Sequence, residues 1–138
     1  MAVVALISCV KTKRSGEWPA NELYCSPWFK AALAYAMNHA DRWFILSAKY
    51  GLLHGTQRVA SYEETLKDKP VSERRRWAES VIRQISDTGA LRSGDEVLWL
   101  AGKQYREHLG RLLSAHRQQC PLEHLRQGEQ TQWLQARV

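Results

Sequence analysis

Cysteine is scarce: 3 of 138 residues, Cys9, Cys25 and Cys120, an odd number without the short paired spacing of a zinc site or redox motif. A disulfide framework is excluded, and reduced, mostly buried thiols are expected. Long apolar runs are missing too. No apolar run, Ala2 to Ile7 and Trp43 to Leu46 included, approaches the roughly 18 to 20 residues that cross a bilayer, so no membrane contact is expected. Lys11, Lys13 and Arg14 follow the first run instead of preceding it, the wrong order for a secretory signal, which predicts a cytoplasmic protein. No Gly-x-Gly-x-x-Gly or Walker-type glycine motif occurs, which argues against the common dinucleotide and ATP enzymes. His39, His54, His108, His116 and His124 lack metal-ligand spacing, so neither metal nor cofactor is expected. Repeats, low-complexity tracts and Gly/Ser linkers are absent, which predicts a single domain over 1–138. Acidic charge is the minority: 14 Asp and Glu against 20 Lys and Arg leave a net +6, which favours polyanionic partners through counterion release.

What the chain does have is apolar residues, 44% with six tryptophans, enough for a packed core. Val3 to Cys9 is a continuous aliphatic run that predicts a strand covered on both faces. Val10 to Asn21 is too polar and interrupted for an element of its own and reads as a binding loop. Ser26-Pro27 reads as an N-cap with proline at the first helical position, opening a helix to about His39. Arg42 to Ala48 predicts a second buried strand, delivering Ser47-Ala48-Lys49-Tyr50-Gly51 to its carboxyl end, with Gly51 as the turn glycine. Leu52 to Pro70 reads as one long functional loop. Ser72 is expected to cap a helix reaching Thr88, Glu96 to Ala101 is a third strand, and Gly102 opens a helix with Tyr105. Pro121 to Leu125 suggests a short fourth strand and Gly128 to Ala136 a closing helix. This alternation predicts an α/β three-layer sandwich around a mostly parallel sheet of about four strands.

Ligands of open parallel sheets bind beyond the carboxyl ends of the strands. Three loops should therefore meet: Ser8, Cys9, Lys11 and Lys13 from the first; Ser47, Lys49, Tyr50 and Gly51 from the second; Gly102, Lys103, Tyr105 and His108 from the third. The long loop would add Tyr62 and Glu63. Cations, hydroxyls, aromatic rings and a carboxylate together suit a phosphate-bearing ligand with a base to stack. Plainer readings stand beside these. Lys11, Lys13 and Arg14 also read as a solvated loop, Arg74, Arg75 and Arg76 as a solvated helix face, and Tyr105 with His108 as helix packing.

The segments Leu6-Ile7-Ser8-Cys9-Val10-Lys11-Thr12-Lys13, Leu23-Tyr24-Cys25-Ser26-Pro27-Trp28-Phe29, Ile45 to Leu53, Tyr62-Glu63-Glu64-Thr65-Leu66 and Leu100 to Tyr105 resemble a bacterial and phage domain family of unknown function. The Leu-Ser-x-x-Tyr-Gly-x-Leu element and the Tyr-led motif after it are similar to the YaaA peroxide-stress proteins, which bind DNA. The Ser-Cys-x-x-x-Lys loop is similar to one in archaeal relatives of tRNA-guanine transglycosylase that carry a uracil-DNA-glycosylase-like domain. These resemblances imply a uracil-DNA-glycosylase-like fold acting on nucleobases, and raise the role of small bacterial glycosylases that remove glucosylated cytosines from phage DNA. The water-activating loop and the His-Pro-Ser loop of uracil-DNA glycosylases are absent here, so their catalytic residues and uracil specificity do not carry over.

The expectation is therefore a DNA N-glycosylase that excises a modified base and leaves an abasic site, in phage defence or repair, with DNA as partner. Its oxocarbenium-like transition state needs a nearby negative charge, a positioned water and donors for the departing base. Glu63 is the expected carboxylate and Ser47 a donor, while Lys11, Lys13 and Lys49 hold phosphates or the leaving base; Lys49 as a Schiff-base nucleophile is the alternative. Tyr50, Tyr62 or Tyr105 would stack on the flipped nucleotide, Ser8, Cys9, Tyr24, Gly51 and Gly102 would complete the binding surface, and Arg74, Arg75 and Arg76 would hold flanking duplex. A non-catalytic DNA-binding stress protein and a nucleotide or nucleoside N-glycosidase are the rival readings.

Overall fold

Val3–Ser8 carries no charge and only one polar side chain, so both its faces can be covered. In the computed structural model, which describes residues 2–10 and 13–138, this strand, β1, is buried from Val4 onward at the centre of the molecule. There follow β2 (Glu17–Pro19), α1 (Ala20–Leu23), α2 (Pro27–His39), β3 (Arg42–Ser47), β4 (Gly51–Leu53) and β5 (Arg58–Ala60). A 3-10 turn (Leu66–Asp68), α3 (Val71–Thr88), β6 (Glu96–Leu100), α4 (Lys103–Leu112), β7 (Gln118–Gln119) and α5 (Gln127–Gln135) complete the chain.

Five strands pair in the order β4-β3-β1-β6-β7. β1 runs parallel to β3, with Leu6 opposite Phe44, and to β6, with Leu6 opposite Trp99. β7 is parallel to β6, and β4 alone returns antiparallel along β3. From β1 the chain crosses to β3 in one direction, then from β3 over to β6 in the other. Right-handed crossovers therefore put α2 on one face and α3 and α4 on the opposite one. The packing agrees, α2 lying against α5 and α3 against α4. The architecture is mixed α/β with a mostly parallel central sheet, as expected, but of five strands.

Local chemistry explains most element ends. Ser26 Oγ accepts from the Phe29 amide at 3.0 Å, as its N-cap position predicts. Gly51 has φ +76°, the left-handed geometry that lets β3 turn directly into β4. Trp43 lies against Gly55, at a distance no side chain could share.

Four expectations are corrected. Leu52 to Pro70 is not one loop, since it holds the end of β4, all of β5 and the 3-10 turn. Residues 10–21 are not all loop: β2 pairs antiparallel with β5, Trp18 opposite Val59, and α1 follows at once. Strands of three residues are too short to show periodicity, and each is fixed by pairing with the other and by burial of Val59 in the core. α3 begins at Val71, with Pro70 rather than Ser72 in the capping position and no side-chain cap; proline's fixed φ favours that entry. Pro121 to Leu125 is not a strand, since residues 121–124 form a turn. The fourth parallel strand is Gln118–Gln119, held where Gln118 accepts from Trp99 Nε1 at 2.8 Å and donates to the carbonyls of Gly110 and Leu113.

Candidate functional site

Beyond Ser8 the chain leaves β1 toward the α2 face, whereas β6 feeds α4 on the other face. Strands that part in this way open a crevice at their carboxyl ends. A cavity of about 390 Å³ lies there. Its floor is Cys9, Val10, Tyr62 and Tyr105, and its rim carries Lys13, Thr65 and the carboxylates of Glu63, Glu64 and Asp68.

Beneath the floor runs a chain of buried hydroxyls and one thiol. Ser47 Oγ is fully buried, accepts from the amides of Lys49 (3.2 Å) and Tyr50 (3.0 Å), and donates its only proton to the Tyr62 hydroxyl at 2.8 Å. The Tyr62 hydroxyl also meets that of Tyr24 at 2.6 Å and lies close enough to Cys9 to feel its charge. The Cys9 thiol in turn lies 3.0 Å from the Tyr105 hydroxyl. Edge-on rings lock these groups: Tyr50 against Tyr62 at 5.4 Å and Trp77 against Tyr105 at 5.5 Å, while Trp77 Nε1 donates to the Ser47 carbonyl at 2.9 Å. The arrangement fixes both floor rings before any ligand arrives.

Burial, with Cys9 close by, raises the hydroxyl pKa values of Tyr24, Tyr62 and Tyr105 well above the ordinary tyrosine range. Lys13 is half-buried, its ammonium 4.5 Å from the Tyr62 ring centre. Desolvation lowers its pKa, opposed by Cys9 and then by Glu63. The site thus sets one partly desolvated cation against three carboxylates over aromatic walls. Among the described residues, no three His, Cys, Asp or Glu side chains are grouped to hold a metal ion.

A second cavity of about 350 Å³ adjoins the first, sharing Cys9, Val10, Thr65 and Tyr105 as a common wall. It lies toward α2 and α5 and takes in Ser8, Gly102 and Gln104.

The structure therefore brings together Cys9, Lys13, Tyr62, Glu63 and Tyr105 at one cavity and places Ser8 and Gly102 at its neighbour. Tyr24 and Tyr50 stand behind the floor, Tyr24 through its bond to Tyr62 and Tyr50 by ring contact and a bond to the Ala60 carbonyl. Gly51 acts through its turn. Other candidates lie elsewhere. Ser47 is committed to Tyr62 and has no proton to spare for a ligand. Lys49 is exposed and opens onto a separate depression with Lys69, Arg76 and Trp77. Arg74 and Arg75 line neither cavity, and His108 is buried on α4 beside Glu107, at 3.4 Å but without hydrogen-bond geometry. Lys11 lies outside the described residues. Sequence reasoning missed Val10, Glu64, Thr65 and Asp68. A signal for Thr65 existed: its hydroxyl caps the Leu66–Asp68 turn by accepting from the Lys67 amide, a habit of Thr in loops.

Fold and site together define an α/β protein of mostly parallel sheet whose polar cavities sit at the carboxyl edge of its central strand. Within that class, residues 4–136 match the model of a family of unknown function (DUF6884), and the chain belongs to that family. It is also similar to the uncharacterized protein YfjM of Bacillus subtilis strain 168, with 30% identity over 123 residues that cover 84% of this chain and 80% of that protein. No solved structure matches.

Proposed function

We propose that the protein is a cytoplasmic DNA N-glycosylase, of uracil-DNA-glycosylase-like design, that receives an extruded modified base and hydrolyses its glycosidic bond. Glucosylated hydroxymethylcytosine of phage DNA is the leading substrate, with phage defence as the corresponding role. The observation that carries this reading is the cavity of about 390 Å³ in which aromatic walls, three carboxylates and a desolvated lysine face one another. Tyr62 and Tyr105 stack on the flipped base. The bond from C1′ to the base nitrogen breaks with its electron pair leaving on the base, which takes a proton from Lys13. Water attacks C1′ and gives its proton to Glu63, whose charge, with those of Glu64 and Asp68, favours the oxocarbenium-like sugar.

A lysine pKa lowered by desolvation suits this proton donation, because it makes the ammonium a better acid than a solvated lysine. That Lys49 lines another depression supports water rather than a Schiff-base lysine as the nucleophile. The exposed cations there, Lys49 and Arg76, adjoin the cavity at Glu64, which is ion-paired with half-buried Lys69, and favour a nucleic-acid chain over a free nucleoside.

The test is a mass-spectrometric screen for bases released from unmodified, hydroxymethylated and glucosylated DNA. Release of one base, with matching abasic sites, is expected. If no base is released while DNA is still bound, the non-catalytic binding reading replaces this one.

A further inference from the structure

The second cavity is chemically unlike the first. No carboxylate lines it, whereas three line its neighbour. α4, ten residues long, begins here at Gly102, which has no side chain to cap it. Among the described residues, the amides of Lys103 and Gln104 have no hydrogen-bond acceptor, while the Gly102 carbonyl is taken up by Tyr105 and Arg106. α2 and α5 also start at this cavity, with Trp28 and Gln127 in their first turns, so three helix dipoles converge on it.

A separate observation points to a ligand. Ser8 is only 5% exposed, and among the described residues its hydroxyl makes no hydrogen bond. Cys9, next along the chain, turns its thiol toward Tyr105 on α4, so Ser8 projects to the opposite face, into this cavity. The Ser8 oxygen is not sealed in the core but opens onto the cavity, where a ligand oxygen can take the hydrogen bond it leaves unmade. Lys67 stands at the mouth with no ion pair among the described residues.

From these residues we propose that the second cavity binds a phosphate group, held by the amides of Lys103 and Gln104, the Ser8 hydroxyl and the Lys67 ammonium. The site needs no chemistry next door and stands whether or not the first cavity cleaves a base. Phosphate in this place comes either from a backbone diester or from the terminal monoester of a nucleotide.

The experiment is amide-resolved NMR titration of the whole protein with inorganic phosphate, thymidine 5′-monophosphate, a thymidine dinucleotide with one internal diester, and thymidine as control. The Lys103 and Gln104 amides should shift with the phosphate-bearing probes and stay still with thymidine. A stronger response to dinucleotide assigns a backbone diester, and one to the monophosphate a terminal group. Ser8→Ala should weaken binding about tenfold, the loss of one charge-assisted hydrogen bond. Gly102→Asp gives the helix its own capping carboxylate at a φ of −68° that any residue accepts. It should abolish binding while melting at or above the parent temperature. No shift at Lys103 and Gln104, or parental affinity in Gly102→Asp, overturns the site. Base release without phosphate binding sinks this inference alone, and phosphate binding without base release sinks only the glycosylase.

Discussion

The Cys9 thiol lies 3.0 Å from the Tyr105 hydroxyl although 96 residues separate them. This contact joins the end of β1 to the first turn of α4 and ties the cavity floor to both faces of the sheet. The groups that depend on it, Tyr62, Ser47 and Tyr24, form one network, so a change at its hub should be felt throughout.

Tyr62→Phe removes the hydroxyl to which Ser47 donates and which Tyr24 meets at 2.6 Å. Two buried groups lose their partner, and a stability loss of about 1–3 kcal/mol is expected. Urea unfolding of the variant and parent measures it; a difference below about 0.5 kcal/mol would show the network to be energetically idle.

Glu63→Gln tests the chemistry without disturbing the fold. Glu63 is exposed on the rim, so its replacement should leave stability within about 0.5 kcal/mol. Base release should fall by about 100-fold or more, the usual contribution of a positioned acid or base. Single-turnover assays on glucosylated DNA report this, and unchanged release would transfer the role to Glu64 or Asp68.

Raising the pH should expose the buried hydroxyls in one step. Tyr24, Tyr62 and Tyr105 have folded-state pKa values above the 10.0 they take when unfolded, first through burial. Above pH 10 the unfolded chain sheds protons that the folded one keeps, so stability intact below that pH declines as the pH climbs past it. Absorbance titration near 295 nm should find three of the five tyrosines silent until the chain unfolds.

The opposite sign holds at Asp95, which is buried and accepts from the Arg92 amide (2.9 Å), the Ala2 amide (3.2 Å) and Arg42 (2.6 Å). The Arg92 amide above all, with the Ala2 amide and Arg42, lowers its pKa against the cost of burial. Its stabilisation is present above the ordinary aspartate pKa and is lost as the pH falls through the lowered one. Asp95→Asn should flatten this part of the acid-unfolding curve, as followed by circular dichroism.

Gly51→Ala should destabilise the turn that carries β3 into β4. The backbone there sits at φ +76°, and a Cβ would meet the Gln84 carboxamide, which bonds the Leu52 amide and the Tyr50 carbonyl. A loss of about 2–4 kcal/mol is expected from left-handed strain and the displaced amide. Thermal melting of this variant beside Gly89→Ala, where the φ is +69° but nothing lies within 4 Å, separates crowding from strain.

Those strands whose apolar runs exceed four residues were legible in the sequence, because a strand covered on both faces needs continuous hydrophobicity, as in Val3–Ser8 and Glu96–Leu100. β2, β5 and β7 were not, since two or three residues carry no period and pairing alone fixes them. At the site, loop residues at strand ends could be placed by topology, and Cys9, Lys13 and Tyr105 do meet at one cavity. Ser47 and Lys49 could not be assigned in the same way. Ser47 ends β3 whereas Lys49, two residues on, lies in the turn before Gly51, and that turn leaves one buried and the other exposed.

The two cavities share the wall made by Cys9, Thr65 and Tyr105. An occupant that shifts this wall from one side alters the shape met by an occupant on the other. Linkage then makes the effect reciprocal: whatever factor a bound phosphate changes in affinity for a base, the base must return to the phosphate. A partition one side chain thick thereby makes two small sites into a single reader that responds most strongly when both halves of its ligand belong to one molecule.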